Sequence, residues 1–173
     1  MRPRKGAFCY GAPMILPDYL GPGLRTVFCG TAAGRRSAEL GRYYAGPGNR
    51  FWPMLFRAGI VAQPLIVGDE ARLLAQGIGL TDMAKHAFGP DAAIPQTAYD
   101  PARLEAFLCR YRPRSLAFNG KNAAQRFLGT KVAYGPQPHT SLPVWVLPST
   151  SGAARAFWDE APWHAFGACL HAM

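Results

Sequence analysis

Short apolar runs alternate with helix-like segments along most of this chain. Strands are predicted over residues 24–30, 78–83, 115–119 and 144–147, and Val27-Phe28-Cys29 has the uninterrupted hydrophobicity of a strand buried on both faces. Helices are predicted over residues 49–58, 69–76, 100–111, 120–127 and 156–170. This alternation predicts an α/β protein: a three-layer α/β/α sandwich around a central, mainly parallel sheet of about four to five strands.

Two segments do not follow this alternation. Residues 1–23 contain four prolines and several glycines, which predicts an irregular N-terminal arm before a single domain over residues 24–173. Residues 31–48 show no periodicity, so a long loop is predicted there, and loops of this length in a compact domain are usually functional.

The carboxyl ends of parallel strands share one rim of the sheet, where ligands of α/β proteins bind. Four segments are predicted to meet there: 30–34, 81–85, 119–121 and 148–155. The first of them, Gly30-Thr31-Ala32-Ala33-Gly34, is predicted to be a tight turn with open backbone N–H groups. It matches neither G-x-x-x-x-G-K-[ST] nor G-x-G-x-x-G, which disfavours a nucleotide-binding protein. A small-molecule hydrolase is also disfavoured, because the sequence shows no catalytic dyad.

The charge is unevenly distributed. The chain has 19 basic and 10 acidic residues, a net charge of +9, and six arginines but only one acid, Glu39, lie within residues 24–57. Such a patch favours a nucleic acid partner, although arginine can also reflect genome composition. Tyr43 and Tyr44 are predicted to lie outside the core, where aromatic rings can stack on bases, whereas Phe51 and Trp52 are predicted to be core residues.

The spacing of the cysteines predicts no metal site, and the hydropathy of the chain predicts no membrane-spanning segment. Cys9, Cys29, Cys109 and Cys169 are widely spaced, as expected for reduced, mostly buried thiols, and they suggest no metal or cofactor site. We find no apolar stretch typical of a signal peptide or membrane span, so a cytoplasmic protein, nucleoid-associated in a prokaryote, is expected.

Seven motifs occur in an order that is shared with a known family. They are Pro22-Gly23-Leu24-Arg25 up to Gly30 with Gly34, Gly46-Pro47-Gly48-Asn49-Arg50-Phe51-Trp52, Gly77-Ile78-Gly79-Leu80-Thr81-Asp82-Met83, Tyr111-Arg112-Pro113-Arg114, Phe118-Asn119-Gly120-Lys121, Gln137-Pro138-His139 and Leu147-Pro148-Ser149-Thr150-Ser151. Together they resemble the uracil-DNA glycosylase superfamily, most closely its mismatch-specific uracil- and thymine-DNA glycosylases. The resemblance implies a monomeric, monofunctional DNA N-glycosylase without metal or cofactor. Its partner would be DNA containing uracil or other damaged bases, with no membrane or protein partner.

The resemblance also implies roles for individual residues. Tyr44 would stack on the flipped base, and 152–155 would form the wedge in the duplex, with Arg155 as its intercalating or phosphate-binding side chain. His139 matches a structural position. The predicted base-binding residues are Thr31, Ala32, Ala33, Tyr44 and Asn119, the last being either a base reader or a buried structural amide. The predicted DNA-binding residues are Arg35, Ser149, Ser151, Gly152, Ala153, Ala154 and Arg155.

The first motif departs from that of the relatives. Theirs reads Gly-Ile-Asn-Pro-Gly, with an asparagine that positions the attacking water, whereas this chain has Ala32, which cannot hold water by hydrogen bonds. Ser149 is likewise a weaker electrophile than the histidine or asparagine of several branches. Either catalysis has moved to another residue, or only binding of damaged DNA is kept. We favour an enzyme, with Asp82 and Ser37 as catalytic candidates; the alternatives are an N-cap role for Asp82 and plain solvated charge for Glu39.

Overall fold

Five strands form one sheet at the centre of the protein. The computed structural model describes residues 12–138 and 140–173. The sheet order is β2-β1-β3-β5-β4; β1, β2, β3 and β5 run parallel, and β4 is antiparallel to β5. The strands are β1 (Thr26–Ala33), β2 (Ile78–Phe88), β3 (Leu116–Asn119), β4 (Gly135–Pro136) and β5 (Val144–Leu147). The predicted mainly parallel sheet is confirmed, and only the two-residue β4 had no sequence signal.

Six α-helices connect or flank these strands. They are α1 (Arg35–Leu40), α2 (Phe51–Arg57), α3 (Glu70–Ala75), α4 (Pro101–Tyr111), α5 (Lys121–Leu128) and α6 (Ala161–Ala172). The prediction that the last helix begins at residue 156 is wrong, because Gly152–Phe157 form a 3₁₀ helix and α6 starts with Pro162 in its first turn. Within the described ranges, no helix has the length and apolar character needed to span a bilayer.

Helices cover both faces of the sheet. Phe28 points into a core shared with α2, α3 and α6, whereas its neighbours Val27 and Cys29 point into a second core beneath α4 and α5. This confirms the three-layer sandwich.

Cys109 is exposed, so the prediction of mostly buried thiols is wrong there. Cys9 and His139 lie outside the described residues.

The segment from residue 12 to residue 23 packs on the domain along the outer edge of β2. Leu16 is only 1% exposed and belongs to the core. Tyr19 and Leu80 exchange two backbone hydrogen bonds of 3.0 and 2.9 Å, and Ile15 N donates to Lys85 O at 2.7 Å. The irregular segment therefore covers an edge that would otherwise expose unpaired backbone groups.

The segment predicted as a loop over residues 31–48 begins with regular structure. β1 continues through Ala33 instead of ending at Gly30, so the predicted tight turn is wrong. The extended β2 supplies the partners, since Gly30 pairs with Asp82 and Ala32 with Ala84. α1 then follows directly after Gly34.

Tyr43 is part of the core, contrary to the sequence prediction, with only 1% of its surface exposed. Its backbone N–H donates to Glu70 Oε1 at 3.0 Å, and its carbonyl accepts from Trp52 Nε1 at 3.0 Å. These contacts come from segments distant in the chain, so local composition gave no sign of them. Phe51 and Trp52 are buried, as predicted.

Candidate active site

A cleft of about 830 Å³ opens where β1, β2, β3 and β5 end. β1 pairs with β3 only as far as Cys29, so the segment Gly30–Ala33 runs past β3 and lines the cleft. The structure thus brings together residues from all four predicted rim segments. Every predicted site residue lines the cleft except Arg155: Thr31, Ala32, Ala33, Arg35, Ser37, Tyr44, Asp82, Asn119, Ser149, Ser151, Gly152, Ala153 and Ala154.

Asp82 lies at the bottom of this cleft and is 4% exposed. It is inside β2, which rules out the alternative of an N-cap. No described residue donates a hydrogen bond to its carboxylate, and burial raises its pKa to about 6. The Lys85 and Arg103 cations act in the opposite direction, while the nearby Asp18 adds to the rise. Asp82 is therefore mainly ionised at neutral pH and has free lone pairs to accept a proton.

A partly buried network of charges lies next to Asp82. The Asp18 carboxylate pairs with Lys85 Nζ at 2.8 Å and Arg103 Nη1 at 2.6 Å, and accepts from Thr81 Oγ1 at 2.7 Å. Arg103 also donates to the backbone carbonyl of Asp82 at 2.7 Å. Two cations thus face one anion in Asp18, and an ionised Asp82 balances the charge of the group.

Tyr44 forms one wall of the cleft in a strained backbone conformation, with φ at 54°. Its ring stacks on Phe51 with centroids 3.9 Å apart, and its buried hydroxyl has no hydrogen-bond partner among the described residues. Burial raises the pKa of Tyr44 well above its usual range, with Asp82 adding to the effect. A bulky residue at positive φ is uncommon, and such strain concentrates at functional sites.

Ser37 is 4% exposed and supports the segment that carries Tyr44. Its Oγ accepts a hydrogen bond from Ala45 N at 3.0 Å. This contact holds the chain next to Tyr44 in place. A role for Ser37 in holding water stays a prediction.

Asn119 connects β3 to the segment after β5. Its Nδ2 donates to Thr150 Oγ1 at 2.8 Å, and its Oδ1 accepts from Thr150 N at 2.9 Å. Both ends of the amide are thus engaged with one residue, which favours the structural-amide alternative over base reading. Ser149 Oγ accepts from Ser151 N at 3.3 Å and orders the same segment.

Comparison with known proteins agrees with this geometry. The model of the uracil DNA glycosylase superfamily matches residues 17–167. The chain belongs to this superfamily. A solved structure, the solution NMR structure of "a putative Uracil DNA glycosylase" from Methanosarcina acetivorans, matches with a TM-score of 0.62 and 25% identity over 90% of this chain and 96% of that one. Both comparisons support a role as a DNA glycosylase in DNA repair.

In this superfamily member, the segment after β5 is fixed at its start. A methyl group on Gly152 would lie 2.6 Å from Pro47 O, so only glycine allows the close contact between the two loops. Arg155 is exposed and donates from Nε to Gly152 O at 3.2 Å. Its predicted contact with DNA stays a prediction. Glu39 is paired with the exposed Arg36 at 3.2 Å.

Several residues around the site were not found from the sequence. Asp18, in the N-terminal segment, acts on Asp82 through its charge, and Arg103, in α4, donates to the Asp82 carbonyl; neither lies in a motif. Phe157 lines the cleft and is 75% exposed; an aromatic residue two positions after Arg155 in a small-residue segment was the one signal available. The described part of the chain contains no group of three His, Cys, Asp or Glu side chains that could hold a metal ion.

Proposed function

We propose that this superfamily member is a monofunctional, monomeric DNA glycosylase that excises uracil, and other deaminated or bulky bases, leaving an abasic site. The observation that carries the proposal is Asp82, a buried carboxylate that faces the cleft and accepts no hydrogen bond from any described residue. A carboxylate with a pKa of about 6 is suited to accept a proton from water at neutral pH. The motifs quoted above favour the mismatch-specific branch of the superfamily.

The edge of β1 offers a way to recognise the base. A free strand edge presents alternating N–H donors and C=O acceptors, and Gly30–Ala33 extend beyond β3 into the cleft. The hydrogen-bonding edge of uracil reads acceptor, donor, acceptor at O2, N3–H and O4. The backbone N–H and C=O of Thr31, which the alternation along β1 turns away from β2, can therefore complement part of this edge, while the Tyr44 ring provides a stacking surface.

Asp82 would take over the function of the missing asparagine from the neighbouring strand. In this mechanism, a water molecule ordered by Asp82 attacks C1′ of the deoxyribose and transfers a proton to the carboxylate. The electron pair of the C1′–N bond leaves with the base as an anion. Backbone N–H groups of β1 and the hydroxyl of Ser149 stabilise that anion, while the Asp82 charge stabilises the cation-like sugar.

Three cations are available along the cleft to hold DNA, beside the acids Glu39 and Asp91. Arg35, Arg36 and Lys121 line the cleft, and the chain has a net charge of +9. Cations in this position would contact phosphates on both sides of the flipped nucleotide. The segment 149–155 would contact the duplex beside them.

An excision assay with a uracil-containing oligonucleotide tests the proposal. After alkali treatment, the wild-type protein should break the strand at uracil, whereas Asp82→Asn should lower the rate by about 10²–10⁴. Binding of the variant to the same DNA in a gel shift should be retained. Glu39→Gln is the matched control, since it neutralises an exposed acid on the same cleft and should leave excision unchanged.

Two outcomes would overturn this assignment. A wild-type gel shift without strand breakage would favour the alternative, an inactive protein that binds damaged DNA on the same fold. Normal excision by Asp82→Asn would remove Asp82 from catalysis. In the same assay, Tyr44→Ala should impair both binding and excision if Tyr44 stacks on the base.

A further inference from the structure

The position of the Asp82 carboxylate depends on the backbone that carries it. The carboxylate lines the cleft, and no described residue donates a hydrogen bond to it. Gly30 lies against one side of it, so packing limits its movement there. A functional side chain without hydrogen-bond partners is placed by packing and by its own backbone, so the peptide groups at Asp82 decide where the carboxylate stands.

The carbonyl of Asp82 points to the outer edge of β2. On this edge, Tyr19 and Leu80 exchange two backbone hydrogen bonds. Alternate residues of a strand turn their backbone groups to the same side, so the Asp82 carbonyl faces the edge that Leu80 also uses. The contact it makes there is with a side chain, because Arg103 Nη2 donates to it at 2.7 Å.

Arg103 is fixed at both of its ends. Its Nη1 donates to Asp18 Oδ2 at 2.6 Å, and its Nη2 also donates to Thr81 Oγ1 at 2.9 Å. At its backbone, Arg103 N donates to Asp100 Oδ1 at 2.9 Å, and Asp100 N donates to Met83 O at 3.0 Å. The start of α4 is therefore bonded to β2 both through its backbone and through this guanidinium.

The contacts of Arg103 require a guanidinium and not only a positive charge. A guanidinium presents its N–H donors in a rigid, planar fork, so Nη1 and Nη2 can serve Asp18 and Asp82 at the same time. The ammonium of a lysine is a compact point charge on a flexible stem and would keep the ion pair with Asp18 without both contacts. Substitution can therefore separate the charge of Arg103 from its hold on Asp82.

We propose that Arg103 is a positioning residue for Asp82, which holds the Asp82 peptide group so that the carboxylate meets the attacking water. This inference rests on the proposed function and names the residue that orients its base. Arg103 does not line the cleft, so it acts through Asp82 and not on the substrate. Misplacement of a catalytic group lowers the rate of the chemical step, so the contact should matter to kcat and not to binding.

The charge of Arg103 has a second effect, on the ionisation of Asp82. Burial is the main cause of the raised pKa of Asp82, and three charged groups also act on that pKa: Lys85 of β2, Asp18 of the segment 12–23 and Arg103 of α4. The two cations lower the pKa, and Asp18 raises it. Cys29, Tyr43 and Tyr44 also lie near Asp82, and burial raises their pKa values far enough that they stay neutral.

Steady-state excision of uracil by two variants tests the inference. Arg103→Lys should lower kcat by about 10–100-fold and leave KM unchanged, because the charge is kept and the fork is lost. The pH at which its activity rises should also stay the same. Arg103→Met should lower kcat by at least as much and shift that pH upward, because a cation that lowers the pKa of Asp82 is gone. Arg110→Met is the matched control: it removes an exposed arginine from the same helix and should change none of these values.

Two NMR measurements keep the inference separate from excision. The amide nitrogen of Met83 shares a peptide group with the Asp82 carbonyl, so its chemical shift should change in both Arg103 variants and not in Arg110→Met. In the wild type, which needs no substitution to fold, the two Nη groups of Arg103 should rotate slowly and give separate signals, whereas those of the exposed Arg110 should average.

The outcomes separate the two proposals. If the wild type excises no uracil, the proposed function fails, and the NMR signals still decide whether Arg103 holds the Asp82 peptide. Three results would overturn the positioning role: a wild-type kcat in Arg103→Lys, an unchanged Met83 shift in both Arg103 variants, or averaged Nη signals for Arg103 in the wild type.

Discussion

Gly30 Cα lies directly against the carboxylate of Asp82: a methyl group on Gly30 would be 2.6 Å from Asp82 Oδ1 and 3.4 Å from the Tyr44 hydroxyl. Gly30→Ala should therefore displace the carboxylate while leaving it ionisable. A shift of about 1 Å in a catalytic group costs on the order of 100-fold in rate, so we expect kcat/KM to fall by about that factor. Gly34→Ala is the control, because a methyl group there meets no atom within 4 Å.

The pH dependence of excision should follow the ionisation of Asp82. Its pKa is about 6, and the base must be ionised to act, so activity should rise as pH increases through about 6. The positive charge of Lys85 lowers this pKa, so Lys85→Met should move the rising limb to higher pH. Single-turnover rates measured from about pH 5 to about pH 9 bracket the limb and report both effects. If the rising limbs of the wild type and Lys85→Met coincide, Lys85 does not influence the pKa of Asp82.

Asp82 should be a source of activity and of instability at once. Its pKa is near 4 in the unfolded chain and about 6 in the folded protein, so the folded state binds the proton more tightly. The protonated carboxyl therefore stabilises the folded wild type fully below about pH 4, and this stabilisation is lost as the pH rises past 6. Asp82→Asn should then gain on the order of 1–3 kcal/mol over the wild type at about pH 8 but not at about pH 4. Urea unfolding at both values tests this, and a pH-independent difference would contradict it.

Ser37 should act through the position of Tyr44. Ser37→Ala leaves the Ala45 N–H without its acceptor, which should cost about 1–3 kcal/mol in the free energy of unfolding and weaken binding to uracil DNA. Exposed Ser141→Ala is the control. If the variant instead loses excision with full stability and full binding, Ser37 holds the water, as its place in the sequence also allows.

The sheet could be predicted because its strands have a local sequence signal. Val27-Phe28-Cys29 and Val144–Leu147 are uninterrupted apolar runs, and such runs are buried whatever surrounds them. The extension of β1 through Ala33 could not be predicted, because small residues also favour turns. Its partners come from β2, and polar residues of β2 such as Lys85 are buried through contacts with the distant Asp18 and Tyr43.

The candidate site was predictable in its position but not in its chemistry. The strand-end rule and the motifs placed Asp82, Tyr44 and Asn119 at one rim. The pKa of Asp82 depends on its burial and on the nearby cations Lys85 and Arg103. These residues meet only in the folded chain. Tyr43 illustrates the same limit, since the buried Glu70 and Trp52 decide its place in the core and local composition does not.

The backbone pairing of Tyr19 with Leu80 bears on where the folded unit begins. A truncated chain starting at Leu24 would lose Asp18, leaving Lys85 and Arg103 without their shared counterion, and would uncover the outer edge of β2. Uncovered edges of this kind promote self-association. The shortest fragment able to fold and remain dispersed should therefore start before Leu16, upstream of every motif that carries the chemistry.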